Sequence, residues 1–318
     1  MKILINDGIH PDGKLLLEEA GFELSMDKVP QDKLEKELPA YDAVVVRSAT
    51  KVRKEVIDQC PKLKVIARGG VGLDNIDVDY ARSKNIAVIN TPTASSQSVA
   101  ELALAHMLNL SRSLHLSNKD MPERGATEFK ALKKAYSGGT ELKGKTMGII
   151  GFGSIGQTIT QMGLALGMKV LPTDLMLDQA TLQFNLYDQG RVGVFADVYT
   201  VPMEELLEDS DYITLHVPYS GGKPILGAEE MAKMKKGVCI INTARGGAVD
   251  EKALLEGLKS GQIGGAGLDV FENEPTPRQE LLDHDRVSVT PHIGASTAEA
   301  QRNIGLELAD QLIELLTD

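Results

Sequence analysis

The sequence predicts an α/β protein whose parallel sheets are covered by helices on both faces. Short runs rich in β-branched residues alternate along the chain with longer amphipathic stretches, and Gly, Pro, Asn or Asp bound these runs. A run that is apolar at successive positions is typical of a strand buried on both faces, as in parallel sheets. The chain has 318 residues, which is long for one hydrophobic core, so we expect about two domains.

The strand and helix predictions follow from these runs. In chain order, the predicted strands are Ile3–Ile5, Val44–Val46, Val65–Ala67, Ile86–Ile89, Met147–Ile150, Lys169–Leu171, Tyr212–Leu215, Val238–Ile241, Ala266–Val270 and Val287–Val289. A first domain is expected to end near Thr91-Pro92, and helical apolar spacing after Ser96 or Ser98 predicts a long helix that leads into the second. The polar stretch Ser117–Gly144 breaks the rhythm, so we expect an extended arm or loop there. A last helix is predicted from about Ala298 to Leu316.

Composition and charge exclude several classes of protein. A formal charge of −11 disfavours a nucleic-acid partner, which usually requires an excess of Lys and Arg. No apolar run approaches the roughly 18 residues that span a bilayer, and the start of the chain turns polar too early for a signal peptide. Cys60 and Cys239 show no metal-ligand spacing. We therefore expect a cytoplasmic protein with no metal, no membrane partner and no nucleic-acid partner.

A glycine-rich turn predicts a dinucleotide site. The predicted strand that ends at Ile150 runs into Gly151–Gly156, and a helix-like stretch follows. Three glycines, Gly151, Gly153 and Gly156, would permit a tight turn that brings backbone N–H groups against a pyrophosphate. Asp174 lies near the distance of about 20 residues at which a carboxylate accepts the ribose hydroxyls. That carboxylate would repel a 2′-phosphate, so NAD is favoured over NADP.

A second motif, Gly139–Thr146, matches the phosphate loop of nucleoside triphosphatases letter by letter. That loop must leave a strand and enter a helix, whereas here a polar stretch precedes the motif and an apolar strand follows it. We interpret Gly139–Thr146 as an ordinary loop.

Three polar residues follow predicted strands and suit hydride transfer to or from an alcohol. That reaction needs a base for the hydroxyl proton and a cation for the substrate carboxylate. His292, Glu274 and Arg245 each lie just beyond a predicted strand, where ligands gather in open α/β sheets. We predict that the three side chains act together, although each alone could equally be a loop charge or a capping histidine.

The motifs together resemble the D-2-hydroxyacid dehydrogenases over nearly the whole chain. The resemblance is carried by Gly151–Gly156 with Asp174, Thr243–Gly247, Leu268–Pro275 and Thr290–Ala295, in this order and spacing. Within the family, Val46–Val52 and Ala67–Asn75 look like the phosphoglycerate enzymes. The resemblance implies two doubly wound, Rossmann-like α/β domains with an interdomain active-site cleft. We expect a substrate-binding domain at 1–94 plus 296–318, with the last helix packed on it, and an NAD-binding domain at 95–295.

The resemblance also implies roles for individual residues. His292 would be the acid/base, Glu274 would hold its imidazole and favour the charged form, and Arg245 would bind the carboxylate and the C2 oxygen. The implied NAD contacts are Gly151, Gly153, Ser154, Ile155, Gly156, Asp174, Val217, Thr243, Ala244, Arg245, Asp269, His292, Gly294 and Ala295. The implied substrate contacts are Arg47, Ser48, Arg68, Gly70, Val71 and Gly72, with the two arginines at a phosphate and backbone amides near Gly70–Gly72 at a carboxylate. A homodimer joined through the NAD-binding domain, with Ser117–Gly144 as a contact, is also implied.

The sequence departs from the family pattern at three places. Ser154 stands where an Arg is common, which removes a pyrophosphate cation, and Val71 stands where Thr is frequent. The segment Met176–Val194 is unusual for the family. Since the sequence as given ends at Asp318, without the serine-binding domain of many phosphoglycerate enzymes, we expect no feedback by serine.

Three functions remain open at this stage. The first is NAD-dependent oxidation of D-3-phosphoglycerate to 3-phosphohydroxypyruvate, or the reverse, as in serine biosynthesis. The second is a glyoxylate or hydroxypyruvate reductase, or another member of the same family. The third belongs to another class, an NAD-sensing binding protein or corepressor with the same fold.

Overall fold

The computed structural model describes residues 1–185 and 193–317, which fall into two compact units. The first unit comprises Met1–Ser98 and Ala295–Asp318, and the second comprises Val99–Gly294. No helix in the described ranges is long and apolar enough to cross a membrane.

The first unit is a five-stranded parallel sheet with helices on both faces. Its elements are β1 (Lys2–Ile5), α1 (Pro11–Glu19), β2 (Glu23–Ser25), α2 (Leu34–Glu37), β3 (Ala43–Val46), α3 (Lys54–Asp58), β4 (Val65–Arg68), α4 (Val78–Ser83) and β5 (Ala87–Asn90), with the start of α5 (Ser96–Arg112) and, further along the chain, the last helix. The strand order is β2-β1-β3-β4-β5, with every neighbouring pair parallel. This is one of the two common doubly wound orders, so the predicted fold class is confirmed for this unit.

The second unit contains a six-stranded parallel sheet. After α5, its elements are α6 (Leu114–Ala135), β6 (Thr146–Ile150), α7 (Ser154–Ala165), β7 (Lys169–Thr173), β8 (Gln179–Asn185), β9 (Gly193–Tyr199), α8 (Met203–Asp209), β10 (Tyr212–Leu215), α9 (Ala228–Lys233), β11 (Val238–Asn242), α10 (Glu251–Ser260), β12 (Ile263–Leu268), α11 (Gln279–Leu282) and β13 (Val287–Val289); α12 (Ala298–Thr317) then belongs to the first unit. The strand order is β13-β12-β11-β10-β6-β7. The order reverses between β6 and β10, which is where ligands bind in such sheets.

Alternating side chains of the first sheet feed two separate cores. Val44 and Val46 of β3 pack in the cluster beneath α2 and α3, whereas Val45 packs in the cluster that includes Leu308 and Leu312 of α12. The last helix therefore covers one face of the first sheet, as the resemblance implied. Burial on both faces explains why these strands are apolar at every position.

The segment Ser117–Gly144 is not the extended arm or loop that the sequence predicted. Most of it belongs to α6, which runs from Leu114 to Ala135 and contains Pro122 and one non-helical residue, Glu128. Arg124 pairs with Asp120 at 3.2 Å and with Glu128 at 2.7 Å, each one helical turn away. The prediction was wrong because ion pairs between successive turns support this helix in place of an apolar stripe.

A β-hairpin formed by β8 and β9 was not predicted. The two strands pair antiparallel from Gln179↔Tyr199 to Asn185↔Gly193. Leu182 and Val198 pack on Phe152, which belongs to the glycine-rich turn. The unusual segment Met176–Val194 thus includes β8 and the start of β9, and its residues 186–192 lie outside the described ranges.

The loop interpretation of Gly139–Thr146 is confirmed, since these residues form turns that lead into β6 and no helix follows them directly. The strand predicted at Ala266–Val270 is shifted: β12 runs from Ile263 to Leu268.

Candidate active site

The glycine-rich turn lies at the point where the strand order of the second sheet reverses. Gly151 follows β6 with φ +96°, a conformation that favours glycine, and a Cβ there would lie 2.6 Å from the carbonyl oxygen of His216 and from Cγ1 of Val217. A Cβ at Gly156 would overlap the carbonyl oxygen of Gly151. The backbone therefore packs too closely here for any other residue.

The start of α7 offers backbone donors to an anion. This helix begins at Ser154, and its N-cap residue Gly153 provides no side-chain hydrogen bond. A Cβ at Gly153 would meet no atom within 4 Å, so the backbone at this residue is open. The first N–H groups, those of Ser154, Ile155 and Gly156, have no carbonyl partner in their own helix. The turn thus fits a dinucleotide pyrophosphate, which α7 would stabilise through its N-terminal dipole.

Asp174 follows β7 and is already bonded to the backbone. Its Oδ2 accepts from the Phe152 N–H at 2.7 Å, and its Oδ1 accepts from Met176 at 2.8 Å and Leu177 at 3.2 Å. Burial tends to raise the pKa of Asp174, but these backbone hydrogen bonds lower it on balance. The carboxylate therefore holds the glycine-rich turn and stays charged, as selection against a 2′-phosphate requires.

His292 and Glu274 form a hydrogen-bonded pair in the turns after β13 and β12. Nδ1 of His292 lies 2.8 Å from Oε2 of Glu274, and Oε1 of Glu274 accepts from the Phe271 N–H at 3.0 Å. His292 has φ +56°, an uncommon conformation outside glycine that occurs at functional sites. Its side chain is 51% exposed, so Nε2 is open to a ligand.

Arg245 lies in the turn after β11, the neighbour of β12. Asn242 braces this turn, because its Oδ1 accepts from the Ala244 N–H at 3.1 Å and its Nδ2 donates to the Arg245 carbonyl at 2.8 Å. A Cβ at Gly246 would overlap the carbonyl oxygen of Phe271, so this turn touches the segment that leads to Glu274. The half-buried Arg245 side chain donates to the Ala244 carbonyl at 2.6 Å. The sequence did not single out Asn242, which looked like an ordinary strand end.

Asp269 is buried and holds the backbone beside His292. Its Oδ1 accepts from the Ile293 N–H at 2.8 Å, and its Oδ2 accepts from the Gly294 N–H at 2.9 Å. Thr243, another implied NAD contact, is buried with its hydroxyl unpartnered among the described residues, which leaves that hydroxyl for a bound group. Ala295 begins the last segment of the first unit, where its carbonyl accepts from Gln301 at 2.7 Å.

His216 differs from His292, the candidate acid/base, in that it is more buried. His216 is half-buried after β10, and burial lowers its pKa to about 3, so it stays neutral at physiological pH. Its Nε2 lies 3.0 Å from the hydroxyl of Thr214. It therefore shapes the turn behind Gly151.

In the first unit, Arg47 lines a cavity at the carboxyl ends of β1, β3 and β4. The cavity has a volume of about 260 Å³, and His10 and Gly69 also line it. Nη1 of Arg47 donates to Oε1 of Gln301 at 2.5 Å. The carboxylate of Asp7, also at this cavity, accepts from the N–H of Arg47 at 2.7 Å and is almost fully buried. Arg47 therefore gives this cavity a half-buried positive charge that can bind an anion.

The other implied substrate contacts are Ser48, which follows Arg47 directly, and residues at or just after the end of the neighbouring strand β4. Ser48 is exposed, and a Cβ at Gly70 would touch the guanidinium of Arg68. The Gly70 N–H already donates to Oγ1 of Thr91 at 2.9 Å. Among the three amides suggested for a carboxylate, this leaves those of Val71 and Gly72.

Residues 104–294 match the model of the D-isomer specific 2-hydroxyacid dehydrogenase NAD-binding domain. The chain belongs to this family. It is an NAD-binding oxidoreductase, as its sequence predicted, and the homologues named below are enzymes, which disfavours the corepressor alternative.

Two curated relatives and one solved structure illustrate the similarity. The chain is 44% identical to a hydroxypyruvate reductase of Thermotoga maritima, over 99% of this chain and 98% of that protein. It is 43% identical to a D-3-phosphoglycerate dehydrogenase of Methanocaldococcus jannaschii, over 99% of this chain but only 57% of that protein. The NAD⁺-bound 3-phosphoglycerate dehydrogenase of Entamoeba histolytica superposes with a TM-score of 0.76 at 28% identity, covering 100% of this chain and 96% of that one.

Proposed function

We propose that this D-2-hydroxyacid dehydrogenase interconverts D-3-phosphoglycerate and 3-phosphohydroxypyruvate with NAD. The observation that carries the choice of substrate is the Arg47 cavity, which contains a half-buried guanidinium and a carboxylate, that of Asp7, whose Oδ2 accepts from the backbone N–H groups of Arg47 and Thr50. A guanidinium binds phosphate oxygens through charge-assisted hydrogen bonds. Arg47, together with Arg68 at the end of the neighbouring strand β4, would bind the phosphate end of the substrate.

In the proposed chemistry, the reacting carbon is C2 of the acid. When bound, NADH supplies a hydride to C2 of the keto acid. His292 donates the proton to the C2 oxygen from Nε2, because its Nδ1 faces Glu274. Glu274 stabilises the imidazolium before that transfer, and Arg245 binds the carboxylate and polarises the C2 carbonyl. In the oxidative direction the same imidazole removes the hydroxyl proton.

In the proposed cofactor site, the N-terminus of α7 binds the pyrophosphate and Asp174 accepts the ribose hydroxyls. Asp269 would face the nicotinamide carboxamide, and Thr243 would donate its unpartnered hydroxyl to the cofactor. Ser154 provides no cation for the pyrophosphate, so binding there relies on the helix N–H groups.

The second candidate is hydroxypyruvate reduction. Its specific support is that the relative with this activity is matched along almost its whole length, whereas the phosphoglycerate relatives are matched over little more than half of theirs. The unphosphorylated substrate would need no cation at Arg47.

A comparison of kcat/KM among 2-keto acids tests the choice between these two substrates. We expect kcat/KM with NADH to be higher for phosphohydroxypyruvate than for hydroxypyruvate or glyoxylate. Arg47→Ala should lower the phosphorylated value more than about tenfold, the loss of one charge-assisted hydrogen bond, and the hydroxypyruvate value less than about threefold. Arg82→Ala, an exposed arginine of α4, is the matched control. A wild-type preference for hydroxypyruvate with no effect of Arg47→Ala would favour the reductase.

We further propose a homodimer formed through the second unit. Helix α6 exposes Leu114, Met121 and Phe129, the last with 58% of its surface accessible, and a partner subunit would cover them. Sedimentation equilibrium should give twice the chain mass, and Phe129→Glu should shift the protein toward monomer. A monomeric wild type would contradict this proposal.

A further inference from the structure

A buried chain of hydrogen bonds connects helix α5 to the turn that carries His292. His106 of α5 is 3% exposed. Its Nδ1 lies 2.8 Å from Oγ of Ser288, and its Nε2 lies 3.1 Å from Oγ1 of Thr290. Thr290 in turn lies 2.6 Å from Oδ1 of Asp269. The chain therefore ends on the carboxylate that holds the backbone beside His292.

Each hydrogen in this chain has one available direction. Oδ1 of Asn109 accepts from the backbone N–H of His115 at 2.7 Å, so its Nδ2 faces Ser288 and donates to Oγ at 2.6 Å. The hydroxyl of Ser288 then has its own hydrogen for Nδ1 of His106.

The other end of the chain completes the assignment. The hydroxyl of Thr290 donates its hydrogen to Oδ1 of Asp269. Its oxygen is left to accept, which requires a hydrogen on Nε2 of His106. Burial lowers the pKa of His106, against the opposing effect of Asp269, and so favours this neutral form.

Strand β12 leaves room for this histidine at one residue. A Cβ at Gly267 would lie 2.6 Å from Cβ of His106 and 2.9 Å from Cγ. The imidazole therefore packs directly on the backbone of β12, and a larger residue at 267 would displace it. The pairing of Gly267 with His106 fixes the distance from α5 to Thr290.

We propose that His106 is a positioning residue for the turn after β13 that carries His292. By donating to Thr290, it directs the Thr290 hydroxyl to Asp269, which is then oriented to accept from the Ile293 and Gly294 N–H groups. These amides directly follow His292, whose φ of +56° needs such support. The inference rests on the catalytic role proposed for His292.

Three substitutions at His106 separate this role from simple packing. His106→Gln keeps a donor near the position of Nε2, His106→Asn keeps an acceptor near Nδ1 but loses the donor to Thr290, and His106→Met fills the space with no donor. If His106 only fills space, the changes in amide exchange and in kcat should follow the change in the free energy of unfolding, which urea titration measures. The proposed role predicts that Gln behaves like the wild type while Asn and Met do not.

The first readout uses the protein without cofactor or substrate. Hydrogen exchange of the Ile293 and Gly294 amides, measured by NMR, should accelerate about two- to tenfold in His106→Asn and His106→Met, the effect of one weakened hydrogen bond, and less than twofold in His106→Gln. The Ile149 amide in β6 is the internal control. Its exchange rate should change no more than the change in the free energy of unfolding accounts for. Equal acceleration in all three variants, or none, would overturn the proposal.

The second readout is turnover with NADH and a 2-keto acid. His106→Asn and His106→Met should lower kcat about two- to tenfold with little change in the keto-acid KM, and His106→Gln should restore it. The double variant His106→Met/Thr290→Val should have a kcat no lower than that of Thr290→Val alone, since both substitutions remove the same hydrogen bond between His106 and Thr290. If amide exchange changes as expected but kcat does not, the positioning stands and the catalytic role of His292 is rejected. Additive losses in the double variant would contradict the proposed path.

Discussion

Replacing Glu274 by Gln removes one charge from the catalytic pair while keeping its shape. In the structure, Oε1 of Glu274 accepts from the Phe271 N–H at 3.0 Å. The amide oxygen of Gln can accept the same hydrogen bond, so the turn should persist. The amide nitrogen would then face Nδ1 of His292, where the carboxylate oxygen lies at 2.8 Å. An amide N–H cannot accept from an imidazolium, so the charged form of His292 loses its partner.

The size of the effect follows from the exposure of the pair. A hydrogen bond to a charged group contributes about 1.5–3 kcal/mol. Since the two side chains are 51% and 37% exposed, solvent screening favours the low end, about 1.5 kcal/mol. If this stabilisation is needed in the transition state, kcat should fall about tenfold.

Single-turnover oxidation of bound NADH by the best 2-keto acid measures this step, and NADH fluorescence titration measures cofactor binding separately. We expect slower turnover with the NADH Kd within about twofold of the wild type. Glu280→Gln, an exposed residue of α11, is the matched control and should have no effect. Undiminished turnover in Glu274→Gln, or an equal loss in the control, would show that the Glu274 carboxylate does not stabilise the imidazolium of His292.

Two further predictions concern the cofactor and stability. Asp174→Ser should raise the ratio of kcat/KM for NADPH over NADH at least about tenfold, because it removes a charge that repels a 2′-phosphate, and should raise the NADH KM because three backbone hydrogen bonds are lost. Since the pKa of His216 falls to about 3 on folding, the unfolded state binds more protons below pH 6.5, and stability present above that pH is lost as pH falls toward 3. Urea unfolding should show about 1.4 kcal/mol more loss between pH 7.5 and 5.5 in the wild type than in His216→Asn.

The predictions for Asp174→Ser and His216→Asn can each be contradicted by one result. An unchanged cofactor ratio in Asp174→Ser, with Asp178→Ser as control, would reject Asp174 as the ribose ligand. The same pH dependence in the wild type and His216→Asn would show that His216 is not held neutral by the fold.

Local sequence signals were sufficient for most strands of the two parallel sheets, although β2 was not predicted. Runs such as Val44–Val46 are apolar on both faces because both faces are covered, and this pattern is visible without coordinates. The pairing of His292 with Glu274 was predicted from the placement of both residues after strands and from the family resemblance, and the structure shows that these strands, β13 and β12, are neighbours. The turn that carries Arg245 follows β11, the neighbour of β12 in the sheet.

The features that the sequence did not predict depend on contacts between distant residues. Helix α6 is an exception, because it contains Pro122 and is supported by local ion pairs around Arg124 and not by a buried apolar stripe. The hairpin β8–β9 is fixed where Leu182 packs on Phe152, which pattern reading does not reveal. His106 looks like an ordinary helix residue until Gly267 and Thr290 are brought next to it.

The substitution His292→Asn tests whether His292 transfers the proton while NADH supplies the hydride. Asn tolerates the φ of +56° and keeps a donor toward Glu274, so the turn should be retained. We expect NADH to bind within about threefold of the wild-type Kd while single-turnover reduction of the keto acid slows at least about 100-fold, the usual contribution of general acid catalysis. Reduction at a rate near that of the wild type would contradict the account.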